Sequence, residues 1–270
     1  MPQRPPPASK PPPSLPGAAL LELAARGPIL LCLDYDGTIS DLVSRPANAR
    51  PVTGAVAAIK ALAARPERIA VAIVSGRPVA EIRRMTGLGD AVMYSGVHGL
   101  EIAGRDAQVR VAEAVSRCSP ELERVRTWTA RYVPEGAGFE VEDKRYSLAL
   151  HYRNAERAAA GELCARFEEF VRAKTPHLRA AHNKMVVEAL PAAASKGEAL
   201  RALCHEAGAA FVPVYFGDDR TDEDAFAEVA GRGVGVLVGE ARPSLARWRV
   251  KSPAAVVRIL EGLAHSLGSR

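Results

Sequence analysis

The sequence predicts an α/β fold, a Rossmann-like parallel sheet core with an inserted α+β layer, and three observations predict it. Apolar runs of strand length recur between stretches of helical spacing, the pattern of repeated βαβ units. Several of these runs stop abruptly in a small polar turn. Between residues 111 and 190 the pattern changes to alternating strands around a long helix, so a second layer interrupts the first.

Residues 1–16 are dominated by proline, including Pro5 to Pro7 and Pro11 to Pro13, and are expected to form an extended or disordered tail. Ala18 to Ala25 reads as a short helix before Gly27 and Pro28. Ile29 to Leu33 has no polar interruption, which predicts a strand buried on both faces, as in a parallel sheet between helices. Helical spacing over Thr53 to Ala64 is broken by Pro66, and Ile69 to Val74 is a second apolar strand. It ends in Ser75-Gly76-Arg77-Pro78, where a helix from Val79 to Met85 begins. A third strand, Ala91 to Tyr94, runs into a glycine-flanked histidine, His98, and Glu101 to Val111 reads as a hairpin turning at Gly104-Arg105-Asp106.

Ser119-Pro120-Glu121 is a good helix opening, with a capping hydroxyl, a first-turn proline and an early acid, and predicts a helix to Tyr132. Gly138 to Arg153 alternates as two antiparallel strands about Asp143 to Arg145. Asn154 is then placed as the cap of a helix to Ala173, and Leu178 to Leu190 returns to strand character. The parallel pattern resumes with a helix, Ala199 to Glu206, opened by Ser195, and a strand, Val212 to Phe216. That strand runs into Asp218 and Asp219. Asp222, Glu223 and Asp224 begin the next helix, where the dipole alone accounts for acidic residues. Val234 to Val238 reads as the last strand and Pro253 to Leu267 as the closing helix. The expected division is a core of 17–110 and 191–270 with a cap of 111–190.

The 270 residues, 48% of them hydrophobic, describe an ordinary soluble globular protein. The net charge of +5 is spread along the chain, and no basic stripe with interleaved aromatics argues for nucleic acid. Cys32, Cys118, Cys164 and Cys204 lack paired ligand spacing and read as reduced thiols of a cytoplasmic protein. No apolar segment reaches membrane-spanning length, and no membrane partner is expected.

Asp34 and Asp36 follow the first apolar strand at its C-terminal end, the edge where open α/β sheets bind ligands. Two residues apart in extended backbone, they point the same way. Crowded carboxylates call for a cation, and hard oxygen donors suit Mg2+. A carboxylate can serve as nucleophile in phosphoryl transfer, with a second as acid and then base. A solvated Asp-Gly turn is the plainer alternative. Gly37 permits a sharp turn, and Thr38 adds a hydroxyl and a backbone donor. Ser75 with the following amide suits a phosphate oxygen at a helix start, against simple capping. Lys196 beside carboxylates would balance charge on a transferring phosphoryl group.

The ordered set DxDGT, Ser, Lys and paired acids resembles the haloacid dehalogenase superfamily of phosphotransferases. That resemblance implies Asp34 as nucleophile and Asp36 as acid and base. It also implies a Mg2+ site from Asp34, the Asp36 carbonyl and Asp218, with Asp219 direct or through water. SGRP, GVHGLE, VEDKRYSLALHYR, NKMVVEALP, SKGEAL and GDDRTDEDAF further resemble, in order, the blocks of the trehalose-6-phosphate phosphatase family. The resemblance implies hydrolysis of trehalose 6-phosphate, with Gly37, Thr38, Arg77 and His98 lining the site. It implies that Glu142, Lys144 and Glu188 contact a phosphorylated disaccharide, and Lys184, four residues before Glu188, is expected to join them. The position of the insertion between Ser75 and Lys196 predicts that this cap closes on hinges near residues 104–111 and 191–195. A functional link to a trehalose-phosphate synthase follows from the same resemblance. Open alternatives are another capped sugar phosphatase, acting on sucrose or mannosylglycerate phosphate, and a non-catalytic sugar-phosphate sensor.

Overall fold

The computed structural model describes residues 10–43, 48–183 and 185–268. The chain divides into two compact units, Met1–Arg110 with Ser195–Arg270, and Val111–Ala194.

The first unit is built on β1 (Ile29–Asp34), whose six residues are all buried. On one side β1 pairs in parallel with β2 (Ile69–Val74), and on the other with β10 (Val212–Gly217). The sheet continues through β11 (Val234–Val238) and β12 (Trp248–Val250) at one end. At the other it continues through β3 (Met93–Gly96), β4 (Glu101–Ala103) and β5 (Val109–Val111), giving the order β12-β11-β10-β1-β2-β3-β4-β5. Pairing is parallel from β12 to β3 and antiparallel between β3 and β4.

Successive residues of β1 serve opposite faces, as strand geometry requires. Ile29, Leu31 and Leu33 join a core with α1 (Ala19–Arg26), α2 (Ala55–Ala63), α3 (Val79–Thr86) and α8 (Pro253–Gly268). Leu30 and Cys32 join a second core with α6 (Lys196–Ala207) and α7 (Glu223–Val229). The fold class is therefore the one expected, helices on both faces of a mostly parallel sheet. Val234 to Val238 is not the last strand, because β12 follows it. Three residues including Arg249 carry no apolar run long enough to announce a strand.

The proline-rich start also differs from expectation within its described part. Arg249 donates to the Pro13 carbonyl at 2.8 Å, and Leu15 donates to the Arg249 carbonyl at 2.9 Å. Proline suits such an edge because its missing N–H can face away from the ladder. Residues 1–9 lie outside the described residues.

The second unit carries β6 (Glu140–Asp143), β7 (Leu148–His151), β8 (Leu178–Asn183) and β9 (Val186–Pro191) in the antiparallel order β6-β7-β9-β8. One face packs Leu148, Leu150, Val187 and Ala189 against α4 (Glu113–Tyr132) and α5 (Arg157–Lys174). Leu178 to Leu190 is a hairpin rather than one strand, with Met185 at φ 63° in its turn.

Two helix starts are corrected. α4 begins at Glu113, six residues before the capping serine expected, because Val115 and Cys118 are apolar anchors buried on the same helical face. Ser119 instead returns its hydroxyl to the Val115 carbonyl at 3.0 Å, and Pro120 sits inside the helix. α5 begins at Arg157, capped by the Glu156 carboxylate accepting from the Ala159 amide. Asn154 does not cap; a Cβ at Gly138 would lie 2.1 Å from its carbonyl, so this turn packs on a glycine.

Candidate active site

β1 and β10 are adjacent and parallel, so their C-terminal ends deliver Asp34 and Asp218 to one edge of the sheet. α6 begins on the same side. Its Ser195 cap accepts from the Gly197 amide at 3.0 Å, and the next residue, Lys196, enters the site almost fully buried. The Lys196 ammonium donates to Asp34 Oδ1 and to Asp222 Oδ1, both at 2.7 Å. Tyr215 donates its phenol to Asp222 Oδ1 at 2.7 Å, and the Asp219 amide donates to Asp222 Oδ2 at 2.9 Å.

Asp34, Asp218 and Asp222 each present an oxygen within 4.8 Å of the others. If all three carboxylates were ionised, the one ammonium would leave two negative charges in excess, in a place where Asp34 and Asp222 are out of water. Burial pushes the Asp34 carboxyl well above its usual range; Lys196 opposes this, while Asp222 and Asp218 add to it. Burial, aided by Asp222 and Asp219 and opposed by Lys196, raises Asp218 to about 7. Burial disfavours the Lys196 ammonium, but Asp222 and Asp34 outweigh it and hold the group above its ordinary pKa. Oxygen-only donors carrying surplus negative charge fit a hard divalent cation.

The glycine of the Asp-Gly turn is required by this cluster. Gly37 has φ 82°, and a Cβ there would lie 2.1 Å from Asp218 Oδ2. The Gly37 and Thr38 amides turn inward to the Ser40 and Tyr35 carbonyls. Thr38 Oγ1 is buried without a partner among the described residues. Asp219 does not join the carboxylate group: it is exposed, and its Oδ1 accepts from the Arg220 amide at 2.6 Å, capping a short 3-10 turn. The sequence expectation of Asp218 with Asp219 becomes, in the structure, Asp218 with Asp222.

Ser75 follows β2, whose last residue pairs with Asp34, so its buried hydroxyl lies one strand from Asp34. It accepts from the Arg77 amide at 3.1 Å, which leaves the hydroxyl proton for another acceptor. Asp36 is held by Arg77, and Arg77 also reaches Glu81. The His98 ring lies where a Cβ at Gly76 would come within 2.8 Å, and its backbone is left-handed at φ 54°. Glu101, from the same glycine-rich block, is buried and caps α3 by accepting from the Val79 amide at 2.8 Å.

The second unit gathers its own polar group. Glu142, Ala149, Glu188 and Ala181 occupy one row across β6, β7, β9 and β8, so both glutamates face the same side with alanines beside them. Lys144 Nζ lies 3.4 Å from Glu188 and 3.8 Å from Glu142. Ser147 donates to Glu188 Oε1 at 2.5 Å, and His151 Nε2 is 2.9 Å from Glu142 Oε2. Lys184 lies outside the described residues.

With this geometry in place, the family model described as trehalose-phosphatase matches residues 32–254. The chain belongs to the trehalose-phosphatase family. The trehalose-phosphate phosphatase of Mycobacterium marinum is 37% identical over 248 residues, covering 87% of this chain and 61% of that protein. The chain thus spans about three fifths of the length of that curated relative. The C-terminal domain of a Candida albicans trehalose-6-phosphate phosphatase shares the fold at TM-score 0.80 and 23% identity, covering 96% of this chain and 99% of that one. An Aspergillus fumigatus trehalose-6-phosphate phosphatase gives TM-score 0.73 at 27% identity, covering 94% and 99%.

In this member of the trehalose-phosphatase family, sequence reasoning missed Asp222, Tyr215, Ser147 and His151. Asp222 was legible as an acid but indistinguishable from a helix-start residue; its full burial is what sets it apart. Tyr215 reads as one more apolar strand residue until its hydroxyl finds Asp222.

Proposed function

We propose that this chain hydrolyses trehalose 6-phosphate to trehalose and phosphate with Mg2+, through an aspartyl-phosphate on Asp34. The observation that carries the reading is the buried Asp34–Lys196–Asp222 bridge with Asp218 beside it, at one sheet edge of a trehalose-phosphatase family chain. Lys196 holds one Asp34 oxygen and leaves the other to attack phosphorus. Asp36 protonates the departing sugar oxygen and then takes a proton from the attacking water. The Ser75 hydroxyl and the Lys196 ammonium bind phosphoryl oxygens, where fixed charge stabilises the transition state. Asp34, Asp218 and Asp222 are the residues that would hold Mg2+, which when bound supplies positive charge beside the transferring group.

In this reading, residues 111–194 are the sugar-recognising cap, and Glu142, Lys144 and Glu188 take sugar hydroxyls. Charged acceptors and donors that are left unpaired by the wrong sugar provide the specificity. Trehalose 6-phosphate is supplied by a synthase, and both act in the cytoplasm. Free cysteines fit a reducing compartment, and no helix among the described residues is long and apolar enough to cross a membrane.

The test is a panel of phosphosugars, with released phosphate measured in Mg2+ and in chelator. Trehalose 6-phosphate should lead the panel by a wide margin, with turnover lost in chelator. Preference for sucrose or mannosylglycerate phosphate would replace the substrate, and no turnover of any ester would remove the reaction. Asp34→Asn should abolish turnover while far-UV dichroism stays unchanged; an active variant refutes the nucleophile.

A further inference from the structure

The Arg77 guanidinium grips Asp36 through two parallel bonds, Nε to Oδ2 and Nη2 to Oδ1, both at 2.8 Å. This fork is the geometry that makes arginine specific for carboxylates. It is braced from behind: Nη1 donates to Glu81 Oε1 at 2.6 Å, in the first turn of α3, and the guanidinium carbon lies 5.7 Å above the buried Tyr35 ring. The Arg77 carbonyl accepts from the Val97 amide, fixing the backbone as well. The Arg77 side chain is 12% exposed. All three guanidinium nitrogens are thus directed at carboxylates of this chain, which is a poor arrangement for receiving a phosphoryl group.

We propose that Arg77 is a positioning residue that holds the acid–base carboxylate of Asp36 in place, rather than a ligand of the substrate. The inference rests on the phosphatase reading above and refines it. In the first half-reaction an Asp34 oxygen bonds to phosphorus, the phosphorus–sugar oxygen bond breaks, and the proton on Asp36 passes to the departing oxygen. In the second, a water oxygen bonds to phosphorus, the Asp34–phosphorus bond breaks, and the water proton passes to Asp36. One water is consumed per ester, and Asp36 ends as it began. Asp36 stands beyond the end of β1, its backbone held only by an isolated bridge to Ser40, so without the fork its side chain is free to leave the reacting oxygen.

A double-mutant cycle on a sugar phosphate decides the point, because residues that act through one another do not add. Arg77→Ala should lower kcat about tenfold or more with KM nearly unchanged, and soluble guanidinium ion should restore part of it. In an Asp36→Asn background the same change should cost almost nothing. Arg77→Lys keeps the charge and drops the fork, carries the same expectation at smaller size, and serves if Arg77→Ala does not fold. Equal losses in both backgrounds, or a rise in KM with kcat intact, overturns the proposal and returns Arg77 to substrate binding. Failure of the phosphatase reading itself would show separately, as turnover by Asp34→Asn or none by the parent chain.

Discussion

At the scale of single residues, the site is a charge imbalance kept in place by burial. Asp34, Asp218 and Asp222 face one lysine, and the raised Asp34 and Asp218 carboxyls record the strain of that crowding. Asp218 moves from an ordinary 3.8 to about 7, so between those values the folded chain binds more protons than the unfolded one. Stability from this group therefore falls as pH rises through that window without a cation, and Asp34 contributes with the same sign. A divalent cation replaces the proton, so Mg2+ should raise the melting temperature more at about pH 8 than at about pH 5.5. Equal shifts at the two pH values would argue against binding at these carboxylates. The DxDGT and lysine residues were legible in the sequence because strand ends punctuated by acids and glycine are rare patterns. Asp222 was not, since its burial comes from Lys196 and Tyr215, 26 and 7 residues away.

Among the elements, strands were read more reliably than helix starts. β1, β2 and β10 announce themselves as unbroken apolar runs because both faces are covered. α4 shows the opposite case: a serine, a proline and a glutamate imitate a helix opening in the middle of a helix. The buried face formed by Val115, Cys118 and Leu122 outweighs the local signal, because burying each such side chain contributes about 1.5 to 3 kcal/mol. Pro120 is exposed and removes one helical hydrogen bond. Pro120→Ala should therefore stabilise the chain by on the order of 1 kcal/mol, read as a higher urea midpoint with unchanged slope. A lower midpoint would mean that the proline is favoured by its restriction of the unfolded chain. The hairpin of β8 and β9 was hidden for another reason, since the break between Asn183 and Val186 is too short to interrupt the strand pattern visibly.

For the molecule as a whole, the two units differ in their polar groups: one gathers carboxylates around a lysine, the other carries a row of polar side chains on one face of its sheet. If the second unit selects the sugar, Glu142→Ala should depress hydrolysis of trehalose 6-phosphate at least about tenfold more than that of p-nitrophenyl phosphate. Similar losses on both esters would remove Glu142 from sugar recognition. The sequence by itself determined the class of fold and the order of the parallel strands' polar turns, and it singled out Asp34, Lys196 and Asp218 as candidates, because these are written in contiguous patterns of burial and charge. Only the tertiary structure decided that Asp222, not Asp219, lies beside Asp34 and Asp218, that Arg77 bonds to Asp36, and that Glu142 and Glu188 share one row. Each of those depends on a partner brought from elsewhere in the chain, and strand register and helix docking, not local composition, choose that partner.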